Sequence, residues 1–135
     1  AAGILSRVGG TACTDVTGFS VLGHAYEIAG HSRVCLQIEA EKLPFVERAR
    51  EAAEAKCFPG GTFRNRKHYE CIAAFGHSIP EQQILMMFSP ETSGGLLATV
   101  DACRGEELRG LFEANNQEVW PIGEVVEGSG LRVTV

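Results

Sequence analysis

Asp15 stands in the run Thr14-Asp15-Val16-Thr17-Gly18, between a short β-leaning stretch and the start of an amphipathic helix. A carboxylate at such a junction can hold Mg²⁺, a hard ion that takes oxygen ligands and commonly uses one or two carboxylates together with phosphates. The free N–H groups of the helix start just beyond it can meet an anion. Asp15 or Thr17 could equally serve as a plain helix cap, and spacing alone leaves both roles open. A second segment, Pro59-Gly60-Gly61-Thr62-Phe63-Arg64-Asn65-Arg66, combines glycines that let a phosphate approach the backbone with two forked, charged donors, Arg64 and Arg66. It lacks the spacing of a P-loop, so it specifies no nucleotide, and a solvated basic turn is the other reading. The third segment, Thr92-Ser93-Gly94-Gly95, can offer hydroxyl oxygens and backbone N–H groups to a ligand, or can be a tight turn. No Gly-x-Ser-x-Gly elbow surrounds Ser93, which argues against a serine hydrolase.

The other chemistry-bearing residues are less informative. No two of His24, on the polar flank of the first long helix, His31, His68 and His77 fall four residues apart, and although Cys35 stands four residues after His31 it belongs to the alternating stretch over 33–40, so no helical zinc pair is formed. They are expected to be structural or exposed. The five cysteines form no CxxC pair, and an odd number without a signal peptide reads as reduced thiols of a cytoplasmic protein. Only Cys13 lies near a candidate site. Its acidic neighbour disfavours the thiolate that a nucleophile needs.

These segments need elements to position them. The pattern predicts a β-leaning stretch over 11–16 and a helix from Thr17 through Ala29, with Phe19, Leu22, Tyr26 and Ala29 as its inner stripe and Gly30 as its end. Residues 33–40 alternate apolar and polar side chains, as a half-buried strand does. A solvent-facing helix is expected over 46–56, a loop over 58–65 and a short helix over 67–75. The apolar runs 84–88 and 96–100 read as two strands joined by the Thr92-Ser93-Gly94-Gly95 loop. A helix over 103–115 with Leu108, Leu111 and Phe112 inside, a strand over 118–126 through Trp120 and Ile122, and a last strand over 131–135 complete the order. Strands interleaved with helices give an α/β (α+β) class with a mixed sheet.

Composition sets the outer limits. The chain has 135 residues, 44% hydrophobic and 21% charged, with a net charge of −5, which excludes a disordered chain. Residues 1–67 carry 9 basic and 7 acidic side chains, whereas 68–135 carry 3 and 10. A general nucleic-acid binder would be basic, so that partner is disfavoured. The local knot Arg64-Asn65-Arg66-Lys67-His68 suits a small anion only. No apolar run reaches the roughly 18–20 residues of a membrane span. The sequence opens on Ala1 without an initiator Met and reads as one piece of a longer polypeptide, with residues 1–10 as the end of an inter-domain connection and 11–135 as one domain.

Taken in order, Ala12-Cys13-Thr14-Asp15-Val16-Thr17-Gly18-Phe19, then Pro59-Gly60-Gly61-Thr62 with Arg64-Asn65, then Ser89-Pro90-Glu91-Thr92-Ser93-Gly94-Gly95-Leu96-Leu97 resemble the C-terminal domain of the selenophosphate synthetases, or selenide, water dikinases. That family lies within the wider aminoimidazole ribonucleotide synthetase superfamily. The likeness runs from about Gly9 to the end, through Ile122-Gly123-Glu124-Val125. It implies a mixed β-sheet packed with helices, partly like a ferredoxin fold. It also implies an enzyme that makes selenophosphate, AMP and orthophosphate from selenide, ATP and water with Mg²⁺, as a homodimer. Asp15 matches a family Mg²⁺ ligand, which tips the choice between metal and cap toward metal. Thr17, Arg64, Asn65, Arg66, Thr92, Ser93, Gly94 and Gly95 are candidates to line the anion cleft. The family's reactive Cys or selenocysteine, its Lys and most ATP-binding carboxylates belong to an N-terminal part that has no match here. The domain alone is therefore expected to be inactive and to bind no cofactor. Two departures stand out: Ser20 where the family has Gly, and Ser89 where it commonly has Asp. A ferredoxin-like ligand-binding or acylphosphatase-like domain would explain the fold and the arginines but not all three motifs.

Overall fold

The computed structural model describes residues 1–69, 71 and 73–135. Helix α1 (Ala2–Val8) opens the chain and buries Leu5 and Val8, with Gly9 closing it in the left-handed conformation. The segment expected to be a connection thus carries a short helix. Strand β1 (Ala12–Asp15) leads into α2 (Ser20–Ser32), and β2 (Cys35–Glu39) follows. Helices α3 (Ala49–Glu54) and α4 (Gly60–Tyr69) precede β3 (Ala73–Phe75) and α5 (Glu81–Met87). Strand β4 (Leu96–Thr99), helix α6 (Gly105–Ala114), β5 (Gly123–Val126) and β6 (Gly130–Thr134) complete the chain.

The strands form two sheets. β1 and β4 make an antiparallel pair, and the other four run in the order β3-β6-β2-β5. β6 lies parallel to both β2 and β3, while β5 pairs antiparallel with β2, so the larger sheet is mixed, as the alternation of elements implied. β2 is central in this sheet. Leu36 and Ile38 are buried, but Cys35 on the other face is buried too, so the strand is covered more fully than its alternation suggested.

α2 packs across this sheet and carries the centre of the core. Leu22, Ala25, Ile28 and Ala29 point inward against Leu36, Ile38, Leu131 and Val133, with Met87 and Phe88 filling the far side. Leu22 and Phe88 are fully buried, and truncating either to Ala would cost about 3–5 kcal/mol through lost transfer energy and the cavity left behind. The inner stripe of α2 is thus rotated from the expected one: Phe19 lies outside the helix and is about half exposed. The helix also runs past Gly30 to Ser32, where Arg33 caps it in the left-handed conformation.

Three further expectations are corrected. Residues 84–88 are not a strand but the body of α5, whose start is set by Pro80 and Glu81. A short, continuous apolar run fits a buried helix as well as a buried strand. The loop expected over 58–65 is mostly the first half of α4, which ends at Tyr69, and the chain returns as a strand at Ala73. Positions 70 and 72, within the helix expected over 67–75, lie outside the described residues. The strand expected over 118–126 is confined to β5, with Trp120 half exposed before it.

Candidate functional site

Asp15 ends β1 directly opposite Leu96, the first residue of β4, so the loops beyond them leave the ladder side by side. They are joined through their backbones. The Val16 N–H donates to the Gly95 carbonyl at 2.9 Å, and the Glu91 N–H donates to the Thr17 carbonyl at 3.0 Å. Gly94 lies so close to the Val16 carbonyl oxygen that an added Cβ would overlap it. The first and third sequence segments therefore form one double loop.

The second segment is laid across both. Asn65, buried on the inner side of α4, donates one amide hydrogen bond to the Gly18 carbonyl at 2.9 Å and another to the Phe88 carbonyl at 3.0 Å. One turn earlier, a Cβ on Gly61 would stand 2.7 Å from Pro90 Cγ, so only glycine lets the helix approach this closely. The three motifs, up to 80 residues apart in the chain, thus meet at one end of the β1–β4 ladder.

The individual side chains divide by role. Asp15 is exposed and has no ion-pair partner among the described residues. It lies inside β1, five residues before α2, and α2 begins without any side-chain cap, so neither Asp15 nor Thr17 is its cap. Thr92, Ser93, Gly94 and Gly95 are exposed on the loop facing Thr17. Asn65 is a clamp, with its amide hydrogens committed to main-chain carbonyls. Arg64 is exposed and folds back along the first turn of α4. Arg66, expected to meet an anion beside Arg64, is paired with Glu81 at the start of α5. Two residues along a helix turn about 200°, so the two arginines of α4 cannot line the same cleft as they could from a loop.

The loop is braced from behind by His24, which the sequence placed on a polar flank. It is 7% exposed, and its Nε2 lies 3.2 Å from Thr17 Oγ1. Its i,i+3 spacing to Glu27 was visible in the sequence, but its burial required knowing how far α2 is rotated. Phe19 stacks beside it, with ring centroids 5.7 Å apart, and rests edge-on against Tyr69. Burial, with Glu27 and Tyr26 nearby, raises the Tyr69 phenol above its ordinary range.

Asp15 offers a divalent cation a hard, accessible oxygen with no competing cation. No group of three or more His, Cys, Asp or Glu able to hold a metal exists among the described residues. A lone carboxylate is compatible with Mg²⁺, which commonly takes one or two, but it does not make a metal site by itself.

Over residues 2–135 the sequence matches the family described as AIR synthase related protein, C-terminal domain. The chain belongs to this family. This AIR synthase related domain is 43% identical to the selenide, water dikinase of Caldanaerobacter subterraneus subsp. tengcongensis over 109 residues, covering 78% of this chain and 30% of the relative. It is 42% identical to the selenide, water dikinase of Pseudomonas aeruginosa over 126 residues, covering 92% of this chain and 35% of the relative. The chain thus spans about a third of the length of the curated relatives it matches. Among solved structures, thiamine-monophosphate kinase from Stenotrophomonas maltophilia shares the fold with a TM-score of 0.60 at 20% identity, over 90% of this chain and 30% of that one. A structure described as AaThiL complexed with AMPPCP and TMP aligns with a TM-score of 0.51 at 19% identity, over 92% of this chain and 30% of that one. No helix among the described residues is long and apolar enough to cross a membrane.

Proposed function

We propose that this domain supplies one metal-ligating carboxylate and the loops beside it to the active site of a selenide, water dikinase, which makes selenophosphate, AMP and orthophosphate from selenide, ATP and water. The observation that carries this is the convergence of the three motif segments around an exposed, unpaired Asp15. The similarity to two selenide, water dikinases at above 40% identity points the same way.

In this reading Asp15 is one ligand of Mg²⁺, which supplies charge neutralisation to the phosphates when bound. The Thr92–Gly95 loop and the exposed Arg64 border the phosphate path, while Asn65, Gly61 and Gly94 hold the loops in register. The remaining carboxylates, the nucleophile and the second half of a homodimer belong to the rest of a longer cytoplasmic protein. This domain alone has no dikinase activity, because phosphoryl transfer needs several positioned charges around the phosphates.

The test is Asp15→Asn in the full-length enzyme, which keeps the side chain's shape and removes its charge. Selenide-dependent AMP formation should fall at least about 100-fold, with the circular dichroism spectrum unchanged. Wild-type turnover with unaltered Mg²⁺ dependence would overturn the assignment. So would selenide-dependent AMP formation by the 135-residue chain alone.

A further inference from the structure

Behind the loop that follows Asp15, three side chains stand in line. Thr17 Oγ1 lies 3.2 Å from His24 Nε2, and His24 Nδ1 lies 3.4 Å from Glu27 Oε2. The histidine is buried, and its Nδ1 is inaccessible to solvent and outside hydrogen-bond geometry with every group among the described residues. Glu27 is half exposed. Which ring nitrogen holds the proton decides what Thr17 can do.

A neutral ring has one proton to place, and its two tautomers differ in what faces the carboxylate. A proton on Nε2 would point at Thr17 and leave the bare lone pair of Nδ1 against Glu27, two electron-rich groups within 3.4 Å. A proton on Nδ1 turns that contact attractive and leaves Nε2 as an acceptor. The ring's tautomer is set by the partner of its other nitrogen, and here that partner is a carboxylate. We propose that His24 is a positioning residue: its neutral ring, biased toward the Nδ1–H form by the nearby charge of Glu27 and not by a formed hydrogen bond, takes the hydroxyl hydrogen bond of Thr17 and makes Thr17 Oγ1 an oxygen that only accepts.

The consequence is one of specificity at the Asp15 site, and it rests on the function proposed above. A hydroxyl whose hydrogen is committed cannot donate to a phosphate oxygen. It can accept from a water molecule, and water in the shell of a divalent cation is a strong donor. Thr17 is then not a donor to phosphate oxygens, which must find their donors elsewhere, on Arg64 or the Thr92–Gly95 loop. The line Thr17–His24–Glu27 fixes the orientation of this hydroxyl and does not react itself.

Two measurements test this. In the 135-residue chain labelled with ¹⁵N-histidine, the ring nitrogens of His24, assigned by their loss in His24→Gln, should show a protonated Nδ1 and a bare Nε2 at neutral pH. Thr17→Val should shift the Nε2 resonance. An Nε2–H tautomer or a doubly protonated ring would overturn the proposal, whatever the fate of the catalytic reading. In the full-length enzyme, His24→Phe and Thr17→Val should each lower kcat by about 10–100-fold, the usual range for a partner that orients a metal shell. KM for ATP should stay within about twofold, and the double variant should be no worse than either single one. His24→Gln, which retains an acceptor near the Nε2 position, and Thr17→Ser should recover most of the loss. If His24→Phe and Thr17→Val lower only the melting temperature, with kcat and Mg²⁺ dependence unchanged, the residues merely pack. Asp15→Asn separates the two ideas: an active Asp15→Asn enzyme defeats the catalytic reading, whereas an inactive one beside a fully active His24→Phe defeats the positioning role.

Discussion

Gly94 and Val16 touch through their backbones so closely that a Cβ on Gly94 would overlap the Val16 carbonyl oxygen. Neither partner is the far end of a flexible side chain, so the overlap cannot be relieved by a rotamer change. Gly94→Ala is expected to push the Thr92–Gly95 loop off the Asp15 loop and cost about 1–3 kcal/mol, as overpacking does. Amide exchange should quicken at Val16, whose N–H is bonded to Gly95, and at Glu91, whose N–H is bonded to Thr17. Unchanged exchange at both positions would show that the two loops do not depend on this contact.

Much of the site could be seen in the sequence because its chemistry is local. Asp15 and Thr17 sit at a predicted strand-to-helix junction and the glycine pairs at turns, and their types alone suggest oxygen ligands and close backbone approach. What could not be seen depends on long-range packing. Gly60 and Gly61 read as a loop, yet they begin α4, because Gly61 must pass against Pro90 and a tertiary contact overrides weak helix propensity. Residues 84–88 read as a strand although Pro80 and Glu81, typical of a helix start, stand just before them. Asn65 reads from the sequence as a candidate to line the anion cleft. Its work as a clamp is done by carbonyls 47 and 23 positions away.

That clamp gives a second expectation. Asn65→Asp replaces an amide that donates twice with a carboxylate that repels the Gly18 and Phe88 carbonyls, and Asn65→Leu leaves both carbonyls without this donor. Each should destabilise the chain by about 2–4 kcal/mol, with the aspartate the worse of the two. Chemical denaturation is the measurement. Arg66→Ala, by contrast, removes a partly exposed pair with Glu81 and should cost no more than about 1 kcal/mol. If Asn65→Leu costs as little as Arg66→Ala, α4 is not pinned through its amide.

Tyr69 sets an alkaline limit on stability. Its phenol is raised first by burial, then by Glu27 and Tyr26, so the folded chain holds the phenolic proton more tightly than the unfolded chain does. The resulting stability is present below the ordinary tyrosine value of about 10 and fades as the pH rises through the folded value. Tyr69→Phe removes this group and keeps the ring beneath Phe19. Above about pH 10 the melting temperature of the wild-type chain should fall more steeply than that of Tyr69→Phe. Parallel curves over that range would mean that the phenol titrates alike in both states.

Ser20 is one of the two residues at which the chain departs from the resemblance noted in its sequence, and the structure supplies a physical account of it. It opens α2 at a φ of 61°, in the left-handed region that a residue with a Cβ adopts only at a cost. Glycine enters that region freely, and strain of this kind amounts to about 1–2 kcal/mol for other residues. Against this stands the greater freedom glycine gains in the unfolded chain, worth somewhat under 1 kcal/mol. The two leave a net gain of about 0.5–1 kcal/mol for Ser20→Gly, or roughly 2–4 °C in melting temperature for a domain of this size. Ser20→Ala keeps the Cβ and the strain, so it should show no gain. The comparison of the two separates backbone relief from the loss of the serine hydroxyl. A Ser20→Gly chain that melts at or below the wild-type temperature would mean that the buried hydroxyl contributes more than the strained φ takes away.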